Sequence, residues 1–194
     1  MSIHRFFSAT LSSADAYVWL DEKEAHHAAR VLRLKEGDDL VVLNGKGTLA
    51  RAKVADTRHG RRRCNVSCSI VNIQTFTPPE RRLRLYVALP RNRHKQDDVF
   101  RQATELGFFR ITPLQCEHSV VQADKGDVKQ RWYLETVKAI KQSGNVFLPA
   151  IDSPQNFMAA LANATSGGIF GDIEASSATD RVGLWQPPTG TAIS

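Results

Sequence analysis

A six-residue stretch, TFTPPE (residues 75–80), divides this chain into two parts with different hydrophobic rhythms, and that change limits what it can fold into. Pro78 and Pro79 cannot donate to a strand ladder, and together they stiffen a connection. Before them come short apolar runs bounded by turn residues: YVWL (17–20), DDLVVLNG (38–45), TLARAKVAD (48–56) and RCNVSCSIVNI (63–73). NGKG (44–47) joins two of them as a hairpin turn, because Asn and Gly accept positive φ cheaply. HGRRR (59–63) is a second, highly charged tip. One helix interrupts at EKEAHHAARVL (22–32), with Asp21 as its N-cap and Ala25, Ala28, Ala29 and Leu32 on one face. Short strands, tight turns and a single helix predict a small β-barrel over residues 1–75.

After the prolines, strands alternate with helices. LRLYVAL (83–89) reads as a strand, and KQDDVFRQATEL (95–106) as a helix with Val99, Ala103 and Leu106 on one side and Gly107 closing it. FFRITPLQC (108–116) is the next strand. VKQRWYLETVKAIKQS (128–143) is a helix with Tyr133, Val137 and Ile140 inward and Gly144 stopping it. SPQNFMAALANA (153–164) reads as a helix capped by Ser153 with Pro154 in its first position, and GGIFGDI (167–173) as a strand. That alternation predicts a parallel α/β sheet over residues 76–194. VGLW, a PPTG turn and TAIS (191–194) read as the opening of a further strand, so the pattern predicts a chain that stops inside a domain.

Charge narrows the function. The net charge is +6: residues 1–77 carry +4, residues 78–142 carry +5, and residues 143–194 carry −3. A basic surface over the first three-quarters favours a polyanion, most often nucleic acid, over a merely solvated basic face. No apolar run is long enough to span a bilayer, and MSIHRFFSAT is too short in apolar residues for a signal peptide, so an intracellular, cytoplasmic place is expected. The cysteines, Cys64, Cys68 and Cys116, form neither a C-x-x-C pair nor a full disulfide set, and alternation puts Cys64 and Cys68 on one strand face as small buried residues. No metal site is expected.

The candidate contacts follow the basic runs. RVLRLK supplies Arg30, Arg33 and Lys35, and PRNRHK supplies Arg91, Arg93, His94 and Lys95 straight after the first α/β strand. Arg grips phosphate with two bonds and Lys acts as a point charge, so such residues position a nucleic acid without reading its sequence. KQSGN adds Gln142 and Ser143, small polar residues able to approach a backbone or base; an ordinary glycine helix stop explains them equally well. His118 follows a strand's carboxyl end, where α/β ligands gather. His26 and His27 point about 100° apart on a helix and do not chelate one ion. Glu105 is more simply a solvated or capping carboxylate than a general base, and no catalytic residue is assigned.

Taken together, RFF (5–7), HHAARVLRLKEGD (26–38), NGKG, ALPR (88–91), ATELG (103–107), ITPLQCEHSVV (111–121) and KQSG (141–144) resemble the RsmE family, methyltransferases that modify N3 of a uridine in 16S ribosomal RNA. The resemblance runs from Arg5 to about Pro149. It implies a PUA-like β-barrel that holds RNA, a C-terminal SPOUT α/β domain with a trefoil knot, S-adenosylmethionine as methyl donor, and a homodimer. It adds Arg5 to the RNA contacts and makes Gly171, Asp172 and Ile173 the remaining cofactor contacts. Three departures stand out. His118 replaces the usual Arg, which makes any anion role pH-dependent; RNRH replaces Lys-Gly-Asp after ALPR; and the family's Gly-Pro-Glu-Gly-Gly loop and Arg-Thr-Glu-Thr-Ala helix start are not in the sequence. The resemblance thus implies an incomplete SPOUT domain, inactive alone, with a non-catalytic RNA-binding module as the alternative if Ser194 is the natural end.

Overall fold

The computed structural model describes residues 3–59, 64–116, 126–164, 168–171 and 182–185. The first part is a five-stranded sheet built from β1 (His4–Phe7), β2 (Tyr17–Trp19), β3 (Asp39–Leu43), β4 (Thr48–His59) and β5 (Cys64–Thr75), in the order β1-β3-β4-β5-β2. β1 runs parallel to β3, with His4 opposite Leu40, and the other pairs are antiparallel. β4 and β5 slip register between Arg51 and Ala52 and again between Val54 and Asp56, and such bulges bend a sheet. Inward side chains of all five strands close on one core of Phe6, Val18, Leu40, Val42, Ala52, Val54, Val66 and Cys68. Each large member contributes roughly 1.5–3 kcal/mol by leaving water. Burial pushes the Cys68 thiol up to about 12, so it stays neutral there.

The expected helix begins as read. In α1 (Glu22–His26) the Asp21 carboxylate accepts from the Glu24 amide at 2.9 Å. It does not continue as one α-helix: residues His27–Val31 form a wider π turn in which the Leu32 amide reaches the His27 carbonyl. Ala25, Ala28 and Ala29 still plug the core. Widening the turn keeps these small residues inward while the chain leaves the helix at Arg33, whose φ is +56°.

The second part carries β6 (Arg84–Ala88), α2 (Arg93–Glu105), β7 (Arg110–Gln115), α3 (Gly126–Ser143), β8 (Ala150–Ile151), β9 (Gln155–Asn156) and α4 (Phe157–Ala162). β7 is central and parallel to β6 on one side and to β8 and β9 on the other. Three expectations change. The buried face of α2 is Gln96, Phe100, Ala103 and Thr104, and Leu106 is exposed, because the Phe100 ring stacks on the Trp132 indole of α3 at 4.5 Å. The last helix is capped by Asn156, not Ser153, since residues 155–156 pair with β7 first. β10 (Gly168–Gly171) does not join the parallel sheet among the described residues; it pairs antiparallel with β11 (Val182–Trp185), a pairing that needs no crossover helix. Asp172, Ile173, His118, residues 60–63 and TAIS lie outside the described residues.

α3 has two apolar faces, and that joins the two parts. Trp132 and Val128 face the α/β core. Val137, Ile140 and Tyr133 face the outer side of the first sheet, against Phe7, Val41, Leu43 and Leu49. The NGKG turn completes the junction. Its Gly47 amide donates to Val146 and its Gly45 carbonyl accepts from Leu148, at 2.9 and 2.8 Å. Buried Asn44 holds the turn in shape, accepting from the Lys46 and Thr48 amides and donating to the Leu11 carbonyl.

Candidate nucleic-acid interface

The loop after β6 leaves the carboxyl edge of the parallel sheet, where open α/β sheets place ligands. Its shape is fixed from below. Gln96, almost fully buried, donates to the Pro90 carbonyl at 2.8 Å and accepts from the Arg131 guanidinium at 2.7 Å. Arg131 in turn pairs with Asp97 at 3.0 Å. Asn92 caps α2, accepting from the His94 and Lys95 amides. The outcome is a braced loop with Arg91, Arg93, His94 and Lys95 all exposed at the start of a helix. The positive end of the helix dipole reinforces their field, so an anion is favoured there. Gln96 and Arg131, 35 positions apart, had no local signal in the sequence.

A second basic group lies on the first sheet's part. Arg30 sits in the π turn, Arg33 follows in left-handed backbone, and Lys35 is in the next turn; all three are exposed. Arg33 is the one non-glycine residue with positive φ among the described residues, and such local strain, about 1–3 kcal/mol, gathers at functional positions.

Arg5, Gln142 and Ser143 meet at the junction of the two parts, but Arg5 is engaged with protein. Its guanidinium donates to the Lys141 and Gln142 carbonyls at 3.3 and 3.2 Å, closing the C-terminus of α3. A cation suits that end of a helix. Ser143 donates back to Ala139, and Gly144 follows with φ +79°. Beside them, Lys141 reaches Glu24 of α1 at 2.5 Å, a second charged tie between the parts. Gln142 is left exposed.

Of the cofactor candidates, Gly171 ends β10. Glu105 is held by Arg101 at 3.4 Å, and Arg101 is held above its ordinary pKa chiefly by its hydrogen bond to Asp98. That is the surface carboxylate the sequence suggested. A separate cleft of about 410 Å³ lies between α3 and β8, lined by Lys129, Gln130, Tyr133, Pro149, Ala150 and Ile151, and it contains none of the candidates. Burial raises the Tyr133 pKa there.

Known proteins place this arrangement. Residues 77–181 match the RNA methyltransferase domain family, and residues 20–61 match the RNA methyltransferase PUA domain. The chain is 30% identical over 154 residues to ribosomal RNA small subunit methyltransferase E of Synechocystis, covering 79% of this chain and 48% of that protein. It is 27% identical to the protein of the same name from Bacillus subtilis, over 72% of this chain and 54% of that one. The fold matches that of a ribosomal RNA small subunit methyltransferase E from Neisseria gonorrhoeae, solved bound to S-adenosylmethionine, with a TM-score of 0.71, 21% identity, and 85% and 68% of the two chains covered. The chain spans about half the length of the curated relatives it matches. A PUA-like domain followed by a mixed α/β methyltransferase fold is the class these features define. Within it, the chain belongs to the RsmE family of RNA methyltransferases.

Proposed function

We propose that this chain holds RNA and provides one wall of the methyl-donor site in the methylation of N3 of a uridine in 16S ribosomal RNA. The observation that carries this reading is the union of a PUA-domain match and a methyltransferase-domain match on two sheets docked through one helix. Residues 1–75 serve as the RNA-binding domain and residues 76–194 as the methyltransferase domain. The substrate is the small ribosomal subunit or its RNA, the place of action the cytoplasm, and the working form a homodimer. No described helix is long and apolar enough to cross a membrane.

The chemistry assigns work to this chain's own groups. The uridine N3 proton has to leave before or during methyl transfer, and its edge must be freed from pairing and stacking. Much of the acceleration comes from alignment, which requires the RNA backbone to be held still. Arg91, Arg93 and Lys95 on the braced loop, and Arg30, Arg33 and Lys35 on the first domain, supply that grip through phosphates; His118, Gln142 and Ser143 complete the contact set. Arg5 serves it indirectly, by fixing the helix end that presents Gln142. S-adenosylmethionine, when bound, supplies the methyl group. Gly171 suits its wall because a residue without Cβ lets a ligand approach the backbone, and Asp172 and Ile173 follow it in sequence.

At the level of this chain, the grip is tested by 16S rRNA affinity as a function of salt. Alanine at Arg91, Arg93 or Lys95 is expected to weaken binding on all RNA sequences alike and to lower the slope of log K against log salt by about 1 each. Unchanged slopes in all three variants would remove this loop from the interface.

A further inference from the structure

The outer face of the first sheet carries a feature that neither the basic loops nor the fold requires. Tyr17 and Trp19 are 63% and 59% exposed on β2, an edge strand, while Val18 between them is buried opposite Cys68. Strand alternation therefore puts both rings on the outer face, about 7 Å apart along the chain. Their cross-strand neighbours on β5 are small: Ser69 opposite Tyr17 and Ser67 opposite Trp19. Ser67 is buried and Ser69 half-buried. Val71, left unpaired by the β5 bulge, adds a third exposed apolar group at 64%.

The row of Tyr17 leads to positive charge, whereas that of Trp19 runs through Ser67 to Asp56. Ser69 is opposite Lys53 on β4, and Arg51 lies two residues further along the same strand; both are exposed. Lys53 pairs with Asp39 at 2.9 Å on the surface, where such a pair is weak and a phosphate can compete for the ammonium. The Gly37 amide bonds to the Val54 carbonyl, so the turn that carries Lys35 borders this face.

Resting on the RNA-binding reading above, we infer that this face is a stacking platform for an unpaired stretch of RNA, with bases on Tyr17 and Trp19 and phosphates toward Lys53 and Arg51. Aromatic rings standing on a sheet beside basic side chains bind splayed bases in this way, and base stacking tolerates any sequence. Duplex RNA hides its base faces and gains nothing from the rings. Serines and a lysine beside the rings make a poor dry patch, which argues against an apolar protein surface as the occupant. An unpaired segment is also what an enzyme acting on a base edge must hold near its target.

The test compares binding of one short RNA, single-stranded and as a duplex, to the whole chain and to the variant Tyr17→Ala plus Trp19→Ala. Both side chains are exposed, so thermal unfolding of the variant should match that of the parent. Single-stranded affinity is expected to fall about 5- to 150-fold per ring lost, duplex affinity to hold, and the salt slope to stay the same. Trp19→Phe, which keeps a ring, should recover most of the loss. Unchanged single-stranded affinity, or an equal fall for duplex, overturns the platform while leaving RNA binding itself in place. A parent chain that binds no RNA overturns the RNA-binding reading and the platform with it. A variant that keeps RNA affinity but shifts its monomer–dimer balance in sedimentation shows a contact between copies, and the platform fails.

Discussion

Trp132→Ala should cost the α/β part about 3–5 kcal/mol, the largest single loss expected anywhere in the described chain. The indole is fully buried at the contact of α3 and α2, where it stacks on Phe100 with the ring planes 17° apart, and Leu89, Ala103 and Ile111 complete its surroundings. Truncation opens a void that two helices and a sheet cannot all close. The indole N–H has no partner among the described residues. Trp132→Phe therefore loses ring area but also removes an unpaired buried donor worth about 1–3 kcal/mol, and should fall well short of the alanine loss. Urea unfolding followed by circular dichroism measures both. An alanine loss under about 1 kcal/mol would mean that the indole does not organise this core.

Gly47→Ala comes second, and it strikes the junction. Gly47 has φ +98°, where a side chain brings about 1–3 kcal/mol of strain. A Cβ there would also stand 2.6 Å from the Phe76 carbonyl oxygen and 2.8 Å from the Phe147 ring. The first obstacle is backbone and cannot swing aside. At Gly45, with φ +69°, the obstacle is the Leu148 side chain, which can rotate, so Gly45→Ala should be the milder change. Because the Gly47 amide bonds to Val146, displacing it should loosen the docking of α3 on the first sheet. The expected result is a lower unfolding midpoint and a split of one transition into two. A single transition at the parent's midpoint would show that the turn does not couple the parts.

The sequence told most where a local rule was also the tertiary rule. β3, β4 and β5 follow from their β-branched runs and from NGKG, and Asp21 caps α1 because a carboxylate in that position has only the helix amides to answer. It told least where distance decided. The four residues of β1 become a strand through pairing with β3, some 36 positions away, and HRFF alone has no alternation to announce it. Two overlapping faces of α2 satisfy the helical period, and Trp132 chose the one with Phe100. NGKG read as a hairpin; that it is also the docking edge for residues 146–148 depends on contacts a hundred positions apart. The candidate site was half legible. Basic runs are visible as composition, so Arg30, Arg33, Lys35, Arg91, Arg93 and Lys95 stand out as candidates, and all are exposed. What holds them was not visible: the bracing of Pro90 by Gln96 and Arg131, or the closing of α3 by Arg5.

The most direct test of the account is the methylation state of 16S rRNA in cells whose copy of this gene has been disrupted. Nucleoside mass spectrometry should show 3-methyluridine lost from 16S rRNA and restored when the intact gene is returned. Full retention of 3-methyluridine in the disrupted cells, with no other modification missing, would contradict the proposed reaction.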